Sequence, residues 1–259
     1  MEEAFVARFR AAFPAAPRDT FREWYLLQDE LREGGHDDVA RALADDLWAL
    51  APALPFAADG ERASFFHNFA VFLGSLGPAA SLARSREAFR VALGIWPPGS
   101  SDHARAQQNE ANAIQALAKS KGELDEAIAL YREALVVRTA AVARGVTLHN
   151  LGVAFRRLAE LDPGRRDEHL GESEAALRAA LALRREKGLG EGEALTLFHL
   201  ALTQQARTRP DADSVADAFD AAATRYDALE RPSEAALCRR LARGEGFPLS
   251  SSVSCHTGS

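Results

Sequence analysis

A helical hairpin that returns along the chain constrains this sequence more than any other feature. In residues 23–52, EWYLLQDELREGGHDDVARALADDLWALAP, the side chains of Trp24, Leu27 and Leu31 fall on one face of a helix. Gly35 suits the left-handed conformation in which helices commonly end. Asp37 and Asp38 follow where an acidic side chain favours the start of the next helix. Val39, Ala40, Leu43, Leu47 and Leu50 then form a second apolar stripe, and Pro52 stops it by withholding a backbone donor. The small Ala40 lets the two backbones approach closely. One such hairpin cannot bury both of its faces, so it needs others like it alongside.

The pattern does return. A second copy near Ala63 places Phe66, Phe69, Ala70 and Leu73 on its first helix, then Gly77, then Ser85, Phe89 and Ala92 on its second, and Pro97. The third starts near Gln108 with Ala111, Ile114 and Ala118, then Gly122, and continues through DEAIALYREAL with Ala127, Tyr131 and Ala134. A fourth has Leu148, Leu151, Gly152 and Phe155, an insertion around ELDPGRRDE, then Ser173, Leu177 and Ala180. The fifth carries Leu197, Leu200 and Ala201, then Val215, Phe219 and Ala222. Gly35, Gly77 and Gly122 share one repeat position, and Pro52 and Pro97 share another, although neither set defines the register.

These residues resemble the tetratricopeptide repeat (TPR), a pattern of about 34 residues with W-x2-L-G-x2-Y on the first helix, A-x3-F on the second and a closing proline. Two positions of the first unit depart from it: Gln28 stands for the usual small residue and Ala44 for the aromatic. The resemblance covers residues 21–229, with units near 21–54, 63–99, 108–141, 145–187 and 194–229. It implies an all-α fold, a right-handed superhelical TPR-type α-solenoid of about five helix-turn-helix repeats. Residues 1–20 are expected to form an N-terminal amphipathic capping helix, because Phe5, Phe9 and Phe13 share one face, with dimerisation or occupation of the binding groove as its alternative roles. A C-terminal capping helix over 233–244, presenting Ala236, Leu237 and Leu241, closes the solenoid region 21–244. Residues 245–259 contain too few apolar side chains to order themselves, which predicts a disordered tail. WPPGSSDHARAQ and DEAIALYREALVVRT also resemble the repeat arrays that accompany caspase-like (CHAT) peptidases in some bacterial proteins. That likeness implies at most a separate partner, as the chain has no room for a peptidase domain.

The 259 residues are 47% hydrophobic and 26% charged, which suits a folded rather than a disordered chain. A net charge of -6 argues against a broad nucleic-acid surface, and the basic pairs Arg156-Arg157, Arg165-Arg166 and Arg239-Arg240 lie among acids. Neither a secretory leader nor an apolar run of membrane-spanning length is evident, and Cys238 and Cys255 do not make a disulfide framework. A bacterial-type cytoplasm fits best.

No catalytic constellation is legible. A P-loop lysine and a nucleophile-elbow serine are both lacking, and GLGEGE at 188–193 follows no strand, so it reads as an inter-repeat turn. Cys255 and His256 lie in the tail, where no fold holds them in reactive geometry. Asp167, Glu168, His169 and Glu172 could ligate a metal, yet acids are favoured at a helix start in any case. The expectation is no catalytic residue, no metal and no cofactor.

In the repeat that this chain resembles, the first helix of each hairpin lines a concave groove. The resemblance implies a groove formed by Arg22, Tyr25 and Asp29, then His67, Asn68 and Asn112, then His149, Asn150, Val153, Arg156, Phe198, His199 and Leu202. Apolar side chains rimmed by amides and imidazoles suit a peptide or helix, with asparagine for its backbone. The His-Asn pairs at 67–68 and 149–150 should face alike. The alternative is that His149 and His199 pack between repeats and that Phe198 and Leu202 are covered. Because position-matched lysines of the carboxylate-clamp type are missing, chaperone C-termini are not expected ligands. The sequence therefore points to a non-catalytic protein-binding adaptor, scaffold or regulatory subunit with a protein or peptide partner, no nucleic acid and no membrane. A sensor of a small ligand or signalling peptide is the second reading.

Overall fold

The computed structural model describes residues 37–76 and 79–245 and, before them, residues 22–24, 26, 27, 30 and 34. The expected N-terminal cap, Tyr25, Asp29, Gly35, Gly77 and the tail beyond 245 lie outside the described residues. Among these residues there is no strand. The helices are α1 (Asp37–Leu50), α2 (Asp59–Ser75), α3 (Ala79–Ile95), α4 (Ser101–Leu117), α5 (Lys121–Val137), α6 (Ala141–Leu161), α7 (Arg166–Glu186), α8 (Gly190–Gln205), α9 (Ala212–Asp227) and α10 (Pro232–Ala242). From α2 to α5 and from α6 to α10 each helix packs on the next, which makes the fold an all-α repeat of hairpins. The chain divides after Arg138 into two compact units.

Local chemistry sets the helix ends. α1 stops at Leu50, where Pro52 sits in a short 3₁₀ turn, Ala51–Ala53. Ser100 caps α4 by accepting from the His103 backbone N–H. Ser120 and Glu123 form a reciprocal capping box at the start of α5, satisfying donors that a helix N-terminus leaves open. Asp211 accepts from Ser214 N–H to start α9, and Pro232 occupies the first turn of α10, where its missing donor costs nothing.

In the first unit, α2 packs on α3, α3 on α4 and α4 on α5. Trp24 is buried at the N-terminal side of this core, its ring edge-on to Phe72 at 4.7 Å and to Phe69 at 5.5 Å. The two positions of the second helix that define the repeat explain themselves here. Ser85 and Ala127 are wholly buried at the close approach of two helices, and Phe89 and Tyr131 fill the space beyond them. Ser85 does more than stay small: its hydroxyl donates to the Ala70 carbonyl of α2 at 2.6 Å.

The second unit repeats the arrangement through α6 to α10, each helix packed on the next. Gly152 on α6 faces α7 so closely that a Cβ there would lie 2.6 Å from Leu177 Cγ and 3.0 Å from the Ser173 carbonyl oxygen. That is the small residue of the repeat pattern, and here nothing larger fits. α10 packs on α9, burying Ala235, Cys238 and Leu241 against the core around Phe219 and Tyr226. The inserted residues of the fourth repeat do not form a long loop. They extend α6 and α7 to 21 residues each, against 17 in α4 and α5, and leave only the turn Pro163–Arg165 between them. Adding helical turns keeps the backbone groups paired, whereas a loop would leave them to water. GLGEGE likewise divides: Gly188 has φ +66° in the turn, while Gly190 to Glu193 form the first turn of α8.

Candidate binding surface on the first helices

In the first unit the predicted His67 and Asn68 form a relay with Asn109 of α4. Asn109 Nδ2 lies 3.3 Å from His67 Nε2, and His67 Nδ1 lies 3.3 Å from Asn68 Oδ1. With the Asn109 amide donating, Nε2 is the acceptor, so the neutral ring carries its proton on Nδ1 and donates it to Asn68. His67 is buried against Phe89 and Trp96, at ring distances of 5.6 and 5.4 Å. Burial, reinforced by Arg105, lowers its pKa to about 4, which keeps it neutral at pH 7. Asn68 itself is exposed. His67 therefore positions the Asn68 amide and does not itself present a surface. Asn112 on α4 is half-buried, with its Oδ1 2.6 Å from the Tyr131 hydroxyl, and Arg22 is exposed.

The second unit treats its residues differently. His149 is 1% exposed and Asn150 6%, so the two His-Asn pairs do not face alike: both histidines are inside, and only Asn68 is out. Phe198 is a core residue, 6.1 Å from Phe219 and 6% exposed. Leu202 is half-buried against the same core, and Val153, Arg156 and His199 are also partly accessible. The accessible part of the sequence-derived set is thus Val153, Arg156 and Leu202, with an edge of His199.

Behind these residues lies a polar cluster that was only partly legible in the sequence. His149 and His199 meet edge-on, with ring centroids 5.0 Å apart and planes at 78°. Arg184, from α7, reaches across to the Gly192 carbonyl at 2.5 Å and to the Thr196 hydroxyl, and its NH1 lies 3.3 Å from His149 Nδ1. Gly192 makes this reach possible, since a Cβ there would lie 3.0 Å from Arg184 Cδ and Nε. The available signal was Arg184 itself: it follows Leu177 and Leu181 at helical spacing, an arginine on the buried stripe. Burial lowers the Arg184 pKa to about 10 and that of His199 to about 3, and it drives His149 well below the ordinary histidine range.

The possible metal ligands disperse. His169 is buried with Nε2 3.3 Å from Asp162 Oδ2, Asp167 accepts from Thr208 N–H, and Glu168 pairs with Arg165. Among the described residues no group of three or more His, Cys, Asp or Glu side chains is placed to hold a metal ion, and no helix is long and apolar enough to cross a membrane. The Cys238 thiol is buried and pushed up to about 12, which makes it unreactive.

Consecutive antiparallel hairpins with small-residue close approaches define a TPR-like helical repeat. No family sequence model matches the chain, and no curated protein matches it by sequence. Solved structures do match. A single-substitution variant of a kinesin light chain-like protein of Podosopora anserina, built of nearly identical TPR-like repeats, superposes with a TM-score of 0.60 at 14% identity, covering 81% of this chain and 96% of that one. The same protein without that substitution gives a TM-score of 0.53 at 14% identity, covering 86% of this chain and 96% of that one. At this identity the likeness is one of fold. Neither neighbour supports the likeness to peptidase-associated arrays.

Proposed function

We propose that this chain is a non-catalytic protein-interaction module, an adaptor, scaffold or regulatory subunit working in a cytoplasm, whose first helices receive a peptide or helix of a partner protein. The TPR-like fold supports an interaction role in general. The observation that carries the finer reading is the Asn109–His67–Asn68 relay, which holds an exposed amide in a fixed orientation. An amide so held can donate to and accept from a peptide backbone without first losing side-chain freedom. In the second unit, Val153 and Leu202 supply apolar contact and Arg156 a charged rim.

Site-specific photo-crosslinking tests this. Benzophenone side chains placed at Asn68 and Leu202 on the first helices, and at Glu87 and Arg178 on the exposed faces of second helices, are irradiated in cells. The expected result is that one partner is captured from Asn68 or Leu202 and not from Glu87 or Arg178. Equal capture from all four positions would remove the groove reading.

A further inference from the structure

Among the described residues many arginines pair with a carboxylate. Arg86 and Arg90 pair with Glu110 and Glu126, Arg185 and Arg225 with Glu193, and Arg178 and Arg207 with Glu174. Arg184 does not follow this rule. It is 6% exposed, and its hydrogen-bond partners are a carbonyl, a hydroxyl and an imidazole, all of them neutral. Beside it stand His149 and His199, and Arg156 lies at the rim with its side chain 21% exposed.

The polar atoms around Arg184 are not all paired within the protein. Arg184 and the Thr196 hydroxyl both approach His149 Nδ1, at 3.3 and 3.2 Å, which leaves Nε2 as the other ring nitrogen to be satisfied. That Nε2 is buried and has no partner; neither do the buried Nδ1 of His199 and Nε of Arg156. The charges facing the two imidazoles are Arg156 from α6, Arg184 from α7 and, beyond Arg156, Glu160. Glu193 on α8 is engaged by Arg185 and Arg225. Glu160, itself exposed, binds Arg156 only as a pair four residues apart on one helix, a weak and easily displaced interaction.

We propose that His149, Arg156, Arg184 and His199 form an oxyanion site in the second unit, taking a tetrahedral phosphate group. The ring planes cross at 78°, so N–H donors on the two imidazoles lie in different planes. A planar carboxylate presents its acceptors in one plane, whereas a tetrahedral oxyanion offers them in several directions. Entry is past Arg156, and Arg184 supplies an uncompensated positive charge from within. Binding draws protons onto the imidazoles, since an anion favours their charged forms. The phosphate is either free or carried on a side chain of a docked peptide. The site does not depend on the groove reading given above.

The test uses the full chain, with inorganic phosphate, a phosphoserine peptide, sulfate and acetate as probes at constant ionic strength, and reads calorimetry together with imidazole NMR. Phosphate is expected to shift the His149 and His199 resonances saturably. Sulfate, whose charge does not change in this range, should bind several-fold more tightly at about pH 6 than at about pH 7.5, as the imidazoles take up protons. Arg156→Gln should weaken phosphate binding about tenfold, the scale of one charged hydrogen bond. His199→Asn should do the same, and Arg243→Gln, a remote exposed control, should leave binding unchanged. Tighter binding of the phosphopeptide than of phosphate assigns the anion to a partner, and the reverse assigns it to a free ion; either supports the site. The proposal is overturned if no saturable shift occurs, if acetate binds as tightly as phosphate, or if Arg156→Gln, whose rim position spares the core, binds phosphate like the native chain.

Discussion

Gly152 shows what one residue decides. A side chain there would meet both a flexible group, Leu177, and a rigid one, the Ser173 carbonyl oxygen at 3.0 Å, so α6 and α7 would have to part. Gly152→Val is therefore expected to destabilise the second unit by about 1–3 kcal/mol, the usual cost of overpacking a filled interface. Urea unfolding followed by hydrogen exchange in α6 and α7 checks it, and an unchanged midpoint would show that the helices do not touch as closely as the geometry has them. Gly152 was legible because the repeat pattern asks for a small residue at that place. The histidines were less so. On a helix flanked by its hairpin partner and by the next repeat, a step of one residue turns a side chain by roughly 100°. Neighbours such as His67 and Asn68 therefore fall on opposite sides of the boundary between core and surface. Sequence places such a boundary to within about one residue, which is why Phe198 and His149 read as groove residues and yet lie inside.

At the level of the helices, caps and length were read unequally well. Hydrophobic spacing pointed to helices throughout the stretch from α2 onward, because the alternation of apolar faces at helical period is strong there. It did not foresee that ELDPGRRDE would be absorbed into longer helices, since proline and glycine together usually signal a loop. Pro163 is tolerated because it sits in the first turn of the short Pro163–Arg165 segment, ahead of α7. The capping box of α5 is the clearest case of a local device acting on an element. Ser120→Ala removes the acceptor for Glu123 N–H and frees the Glu123 carboxylate from its bond to Ser120 Oγ. The expected loss is about 1 kcal/mol, with Ser120→Asp recovering most of it. Thermal melts of the three proteins decide this, and a melt for Ser120→Ala that overlays the native one would mean that tertiary packing alone sets the start of α5.

Across the whole molecule the two units differ in how much uncompensated polarity they bury. Among the described residues, the first holds one depressed histidine, His67, whose two ring nitrogens both have partners. The second holds His149 and His199 together, each lowered first by burial and then by neighbouring cations. For a histidine whose pKa is lowered on folding, the unfolded chain binds more protons, so stability rises with pH. The contribution is intact above the ordinary value of 6.5 and is lost as the pH falls from there toward the folded value, about 3 for His199. Each unit of pH in that window removes up to about 1.4 kcal/mol per such histidine. Acidification from neutral pH is thus expected to loosen the second unit before the first. Hydrogen exchange at about pH 5 should show α6 and α8 losing more protection than α2 and α4, because two such histidines act on the second unit and only His67 on the first. Replacing His199 by asparagine should shift the loss of protection to lower pH, since it removes one of the two groups that must take up a proton. If the first unit opens first, or if both open together in native and variant chains, the buried imidazole pair does not govern the acid response.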